Sequence, residues 1–465
     1  MLVGGRKRKA ESETEVKGGP VPECRGVVKE GVLEAFRDAF KSGNQIELSR
    51  SSRSLRELYA STVLRTESVE YFFTCLRHPM ELMCSRLTEK ENRLQCLKMV
   101  VNFASVMFQN DIHEPLEFIV QFCEEINAMI SVSARFFACA LARYIFQIQK
   151  TGADVSADEK MKSSFAFEPY NLRLYWMILK RRFDTNILVR SEVLKAASVV
   201  QTDKILDSCD CSPKKLLFDH LRDNAWECRL IALKALTISS SKDIDIIVQV
   251  ALGDSNVRVR RAAFGRLARD VHYKSLYVAQ RMEILQSILG SRDHSIKISA
   301  LEEVLGEWLR AAGSDDNVQS DKNIKMECNY LLAPFMLIRV LEPFHEEETS
   351  HDVVIASLRY CRKYLKLDNA PVDEFIKKII DCGAEFIISA RNYKIVLSHS
   401  WGALDQANSV FFWRCLLDYC TAECRSESDI TNCRHRLVPT LHTFTGFVTQ
   451  FVHTLFYDNI SYFIF

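Results

Sequence analysis

The residues whose types and spacing could do chemistry in this chain are chiefly cations. Residues 254–281 hold seven Lys/Arg (Arg258, Arg260, Arg261, Arg266, Arg269, Lys274, Arg281) against Asp254 and Asp270, a net of +5. Residues 171–200 hold Arg173, Lys180, Arg181, Arg182, Arg190 and Lys195 against Asp184 and Glu192, a net of +4. Residues 311–360 reverse the sign, with four Lys/Arg against nine acids. Clusters of cations on one face can bind phosphate, with an affinity that falls as salt rises. Arg258 and Arg261, three apart, share a helix face. Lys180, Arg181 and Arg182 close a helix, where cations also complement the negative end of the dipole. A solvated face with dipole complementation is the plainer reading of the same residues. No recognition-helix or zinc-finger spacing is present, so base-sequence readout is not indicated.

Cysteine is the second chemical resource, with 16 copies. The opening residues MLVGGRKRKAESE lack an apolar signal core, so reduced thiols are expected, most of them packed as small hydrophobes. Cys415, Cys420, Cys424, Cys433 and His435 lie close together in sequence. Zinc would need four such ligands in a tetrahedron. No C-x-x-C pair occurs, and the expectation is a packed helix without metal. Cys209 and Cys211 are a weaker candidate pair. None of the patterns G-x-x-x-x-G-K-[ST], G-x-G-x-x-G, H-E-x-x-H or G-x-S-x-G occurs. The expectation is therefore a non-enzyme with no cofactor, no metal and no small-molecule substrate.

The elements that must position these residues read as helices. The 465 residues carry 61 Lys+Arg and 60 Asp+Glu, with 48% hydrophobic residues, which excludes a mostly disordered chain. Gly (16) and Pro (10) fall well below average usage, which argues against a many-stranded sandwich or barrel. Apolar positions recur at three- and four-residue spacing, as in Arg93–Val101 and Arg229–Leu236. One helix type returns with a fixed head: Asp, four residues, an apolar residue, Arg, then Ala. The copies are Asp184…Arg190…Ala196, Asp223…Arg229…Ala232 and Asp254…Arg260…Ala263, with a weaker one at Ile296-Lys297…Ala300. Arg93 and Arg135 extend the series upstream without the Asp.

The basic positions 93, 135, 190, 229, 260 and 297 are separated by 42, 55, 39, 31 and 37 residues. A period near 40 with two helices per unit is that of HEAT and armadillo arrays. The fold expected is all-α, a HEAT-repeat α-solenoid of armadillo-like superhelical type. The Asp is expected to cap the inner helix and the Arg to reach the Asp of a neighbouring repeat. On that reading Asp184, Arg190, Asp223, Arg229, Asp254, Arg260 and Lys297 form a structural ladder.

Asp254–Arg310 carries a resemblance to a known family. The family pattern is approximately D-x-x-x-x-V-R-x-x-A-x-x-x-L-A-x-x-V, then Q-R-x-x-x-L-Q, D-R-x-x-x-V-K-x-A and a closing W-L. This chain supplies Asp254, Val259-Arg260, Ala263, Leu267-Ala268, Val271, Gln280-Arg281, Leu285-Gln286, Arg292, Ile296-Lys297 and Trp308-Leu309. It resembles the HEAT subunit of condensin, the CAP-G type known as condensin complex subunit 3. Phe411–Tyr419 is similar to a later helix of that family. Ser291, Ser299 and Gln249-Val250-Ala251 depart from the pattern.

The resemblance implies a non-catalytic subunit that holds a kleisin and duplex DNA, without sequence preference, beside the two SMC ATPases of condensin. It implies a role in mitotic chromosome condensation and a location in the nucleus and on mitotic chromosomes, and also in the cytoplasm. The candidate DNA-contacting residues are Arg173, Lys180, Arg181, Arg182, Arg258, Arg261, Arg266, Arg269, Lys274 and Arg281. The alternative is a generic protein-binding scaffold of the transport-receptor or adaptor type.

Three segments are expected. Residues 1–26 read as a disordered tail, in which Arg6-Lys7-Arg8-Lys9 could serve nuclear import. Residues 27–436 read as the solenoid, with an inserted polar loop at about 151–168. Residues 437–465 read as an atypical apolar tail. They hold eight Phe/Tyr, and Leu437–Tyr457 lacks formal charge over 21 residues. Its Thr, His and Pro content argues against a membrane span. The family's chains are far longer, so this end reads as a truncation.

Overall fold

The computed structural model describes residues 22–41, 44–64, 69–151, 169–208, 210–314, 340–341, 350–364, 366–367, 369–376 and 406–444. Among these residues every extended element is helical and none is a strand. The chain divides into two compact units, Met1–Ala235 and Leu236–Phe465.

The first unit contains α1 (Pro22–Lys41), α2 (Gln45–Leu64), α3 (Val69–Cys84), α4 (Lys90–Gln109), α5 (Glu114–Ala128) and α6 (Val132–Thr151). It continues with α7 (169–179), α8 (Ile187–Val199), α9 (Lys204–Asp207), α10 (Pro213–His220) and α11 (Trp226–Ala235). Consecutive helices pair, as α1 with α2, α3 with α4, α5 with α6 and α10 with α11. The second members also stack in series: α2 on α4, α4 on α6, α6 on α8 and α8 on α11. Pairing within a repeat and stacking between repeats define a HEAT-type array. Each apolar stripe is thus buried twice, against its own partner and against the next pair. Phe72, Phe103, Phe122 and Phe137 fill this core at 0–1% exposure. Helix starts are set locally: Pro115 and Pro213 occupy the first turns of α5 and α10, and the Ser212 hydroxyl accepts from the Lys215 amide.

The second unit contains α12 (Ser241–Gly253), α13 (Val257–Arg269), α14 (Val278–Leu289), α15 (His294–Ser314), α16 (His351–Tyr364), α17 (Gln406–Glu423) and α18 (Glu427–Phe444). Here α12 pairs with α13 and α14 with α15, while α13 stacks on α15. A reciprocal capping box of Ser240 and Asp243 opens α12. Trp308, Phe264 and Tyr273 are buried at its core. The all-α HEAT-repeat solenoid class is therefore observed within each unit.

The element ends differ from the sequence expectations in two places. α1 begins at Pro22, inside the stretch expected as tail. α18 runs on to Phe444 with Leu437 buried at 2% exposure, so helix enters the stretch expected as an atypical tail. The basic tetrad at 6–9, most of the 151–168 segment and residues 445–465 lie outside the described residues. Among the described residues, no helix is long and apolar enough to cross a membrane.

Candidate nucleic-acid interface

The repeated Asp and Arg heads form two-sided clamps. Arg135 donates from Nε and Nη2 to both carboxylate oxygens of Asp184, at 2.6 and 3.1 Å. Arg190 does the same to Asp223, at 2.8 Å for both. Each Asp also turns its own chain: Asp184 Oδ1 accepts from the Asn186 amide and Asp223 Oδ1 from the Ala225 amide. Each Arg ties back to the turn that precedes its own helix. Arg190 Nη1 donates to the Asp184 carbonyl, Arg229 Nη1 to that of Asp223, and Arg260 Nη1 to that of Asp254, at 2.7–2.8 Å.

Two details depart from the expected capping role. The N-cap of α8 is Asn186 and that of α13 is Asn256, whose side chains accept from the Leu188 and Arg258 amides. The Asp two residues earlier instead closes an Asx-type turn, with Asp184 Oδ1 accepting from the Asn186 amide and Asp254 Oδ1 from the Asn256 amide. Burial opposes ionisation of Asp184 and Asp223. The hydrogen bonds from Arg135 and Arg190, with the turn amides, outweigh it and hold both carboxyls below the usual range. A further buried anion, Glu192, is 2% exposed and takes Arg143 at 3.0 Å and Lys195 at 2.6 Å.

Of the candidate phosphate contacts, those on α13 divide by their partners. Arg258 and Arg261 are exposed on one face of the helix. Arg266 binds Asp270 at 2.7 Å, and Arg269 pairs with Glu303 on α15. Lys274 is exposed beside the Tyr273 ring, 5.8 Å from its centroid. Arg281 is only 2% exposed, and its Nη1 donates to the Val340 carbonyl at 2.7 Å. That burial removes Arg281 from a surface that touches a polyanion. Lys297 on α15 is exposed.

On α7 and the turn after it the partners differ again. Arg173 is held by Glu117 and Glu124, at 2.8 Å each, and these carboxylates raise its already high pKa. Arg181 donates to the Asn127 side chain and carbonyl. Lys180 is exposed, and Arg182 lies over the Phe183 ring, 4.9 Å from its centroid. Sequence reasoning passed over Trp176, which is 51% exposed between Arg173 and Lys180. Its i+3 and i−4 spacing from those two cations places it on the same polar face.

Twelve cysteines have described side chains, and all are free thiols, nine of them buried. Cys424 and Cys433 approach to 3.8 Å between sulfurs. Burial pushes the Cys424 thiol up to about 12. Among the described residues no group of three or more His, Cys, Asp or Glu is arranged to hold a metal ion. Cys209 lies outside the described residues.

A family model described as the C30G12.6 N-terminal domain matches residues 141–462. The chain belongs to that family. Protein C30G12.6 of Caenorhabditis elegans is 22% identical over 362 residues, covering 70% of this chain and 32% of that protein. Condensin complex subunit 3 of Xenopus laevis is 23% identical over 299 residues, covering 62% of this chain and 27% of that protein. This family member thus spans about a third or less of the length of these curated relatives. The crystal structure of the S. pombe condensin Cnd3–Cnd2 subcomplex aligns with a TM-score of 0.44 at 16% identity, covering 88% of this chain and 54% of that chain.

Proposed function

We propose that this family member is a non-catalytic HEAT subunit of a condensin-type complex. In this reading it binds a kleisin chain and the backbone of duplex DNA, assembles with SMC ATPases, and acts on mitotic chromosomes in the nucleus. The observation that carries the reading is the alignment with condensin complex subunit 3 along 299 residues.

The surface chemistry of the second unit supports a backbone contact. Arg258 and Arg261 project from α13, and Lys274 stands exposed just beyond it. Arg266 and Arg269 are committed to Asp270 and Glu303, so they contribute less charge to a polyanion. Exposed cations of this kind contact phosphate oxygens, which carry no base-sequence information, and this fits binding without sequence preference.

The test is co-expression with a kleisin fragment, followed by duplex binding across a salt series. The expected result is a stable complex whose log affinity falls linearly with log salt. Failure to co-purify, or binding that ignores salt, would contradict the proposal.

A further inference from the structure

The first unit carries a surface feature apart from the α13 cations. A groove of about 620 Å³ runs between α5 and α7. Its apolar lining is Ala128, Leu172, Trp176 and Met177. Trp176 is 51% exposed, an unusual position for the largest apolar side chain. Apolar exposure continues past the ends of both helices. Met129 and Ile130, which follow α5, are 44% and 96% exposed, and Phe183, which follows α7, is 72% exposed. Exposed apolar side chains at a groove mark sites of association, and Trp176 is the one that lines this groove at high exposure.

Charge selects the occupant. Glu117 and Glu124 neutralise Arg173. Lys180, at the groove's end, has no carboxylate partner among the described residues, and neither does Arg182 on the next turn. The groove is therefore apolar in its middle and cationic at its α7 C-terminal end. An apolar middle beside a lone exposed ammonium complements an apolar side chain next to a carboxylate.

We propose that this groove docks an extended segment of a partner protein, one bearing an aromatic or large aliphatic anchor with a carboxylate two residues away. The register follows from geometry. Trp176 and Lys180 are one helical turn apart, about 6 Å along the axis. Two residues of extended chain span about 6.6 Å. An apolar side chain beside Trp176 thus sets a carboxylate at that spacing beside Lys180. The site stands on the first unit alone and is independent of the α13 contacts proposed for DNA.

The test uses the full chain and a fluorescein-labelled 12-residue peptide with one central Phe and Asp two residues to either side. Saturable binding by fluorescence anisotropy is expected. Trp176→Ala and Lys180→Glu should each weaken it at least about tenfold, as loss of an interface anchor does. Both side chains are exposed, so the circular dichroism and thermal transition should not move. A peptide with Phe replaced by Ala, or Asp by Lys, should bind at least about tenfold more weakly. The double variant Arg258→Glu/Arg261→Glu should bind the labelled peptide as the parent does, which separates this site from DNA binding. No saturable binding by the parent, or binding indifferent to Trp176→Ala, would overturn the proposal. So would a single-stranded oligonucleotide that displaces the peptide and itself depends on Trp176, because stacking on an exposed Trp would then be serving nucleic acid.

Discussion

Arg135 and Asp184 illustrate how one side-chain pair can specify a repeat. The side chains are 10% and 3% exposed, and the guanidinium meets the carboxylate through two parallel hydrogen bonds. Removing one partner leaves the other charge desolvated and unmatched. Asp184→Ala is therefore expected to destabilise the first unit by about 3 kcal/mol, read from the urea midpoint. Replacing both partners with apolar residues of similar volume should recover most of that loss. The same pairs set a pH dependence. The carboxyls of Asp184 and Asp223 titrate below their unfolded value of about 3.9. Their stabilisation is present above that value and is lost as pH falls through the folded values beneath it. Urea midpoints measured from about pH 5 down to about pH 3 should fall for the parent chain and fall less for Asp184→Asn. Equal slopes would show that these pairs do not couple to folding. The Asp–x₄–apolar–Arg heads made this ladder legible in the sequence. Glu192 was not legible, because beside Arg190, Ser191 and Lys195 it reads as a surface acid, and its burial goes with the approach of Arg143 from another helix.

At the scale of the helix, α13 is built to display its cations. Asn256 caps its start by accepting from the Arg258 amide at 2.8 Å. Val259, Ala263 and Leu267 are buried on the opposite side, which fixes the rotation of the helix and leaves Arg258 and Arg261 outward. Gly265 permits close packing on α15: a Cβ there would stand 3.0 Å from the Glu303 carboxylate that holds Arg269. Asn256→Ala should cost about 1 kcal/mol and speed amide hydrogen exchange at Arg258, while the core of the unit keeps its protection. Unchanged exchange at that amide would show that the cap is dispensable. Helix type and spacing were readable from the periodic apolar positions. The helix ends were less so. Asp254 looked like the cap, and the true cap, Asn256, was hidden because Asn and Asp both suit such turns and only the commitment of Asp to a turn amide separates them. The exposure of Trp176 was equally hidden, since a Trp within an apolar run reads as core until the packing is known.

For the molecule as a whole, near-neutral net charge conceals a division of labour. Cations collect at 171–200 and 254–281 and acids at 311–360. Within each basic stretch the cations differ further, some held by carboxylates and some exposed on the surface. Arg173, Arg190, Arg266 and Arg269 are held, and Lys180, Arg258 and Arg261 are exposed. Sequence counting gives all of these equal weight, because the partners of Arg173, Arg190 and Arg269 come from segments tens of residues away. The two exposed arginines of α13 bear the central claim, and duplex binding over a salt series measures them most directly. The parent chain should show a steep, linear loss of log affinity with log salt. Arg258→Glu/Arg261→Glu should bind more weakly and flatten that slope by about two, the loss of two phosphate contacts, with its thermal transition unmoved. An unchanged slope and affinity in that variant would contradict the account.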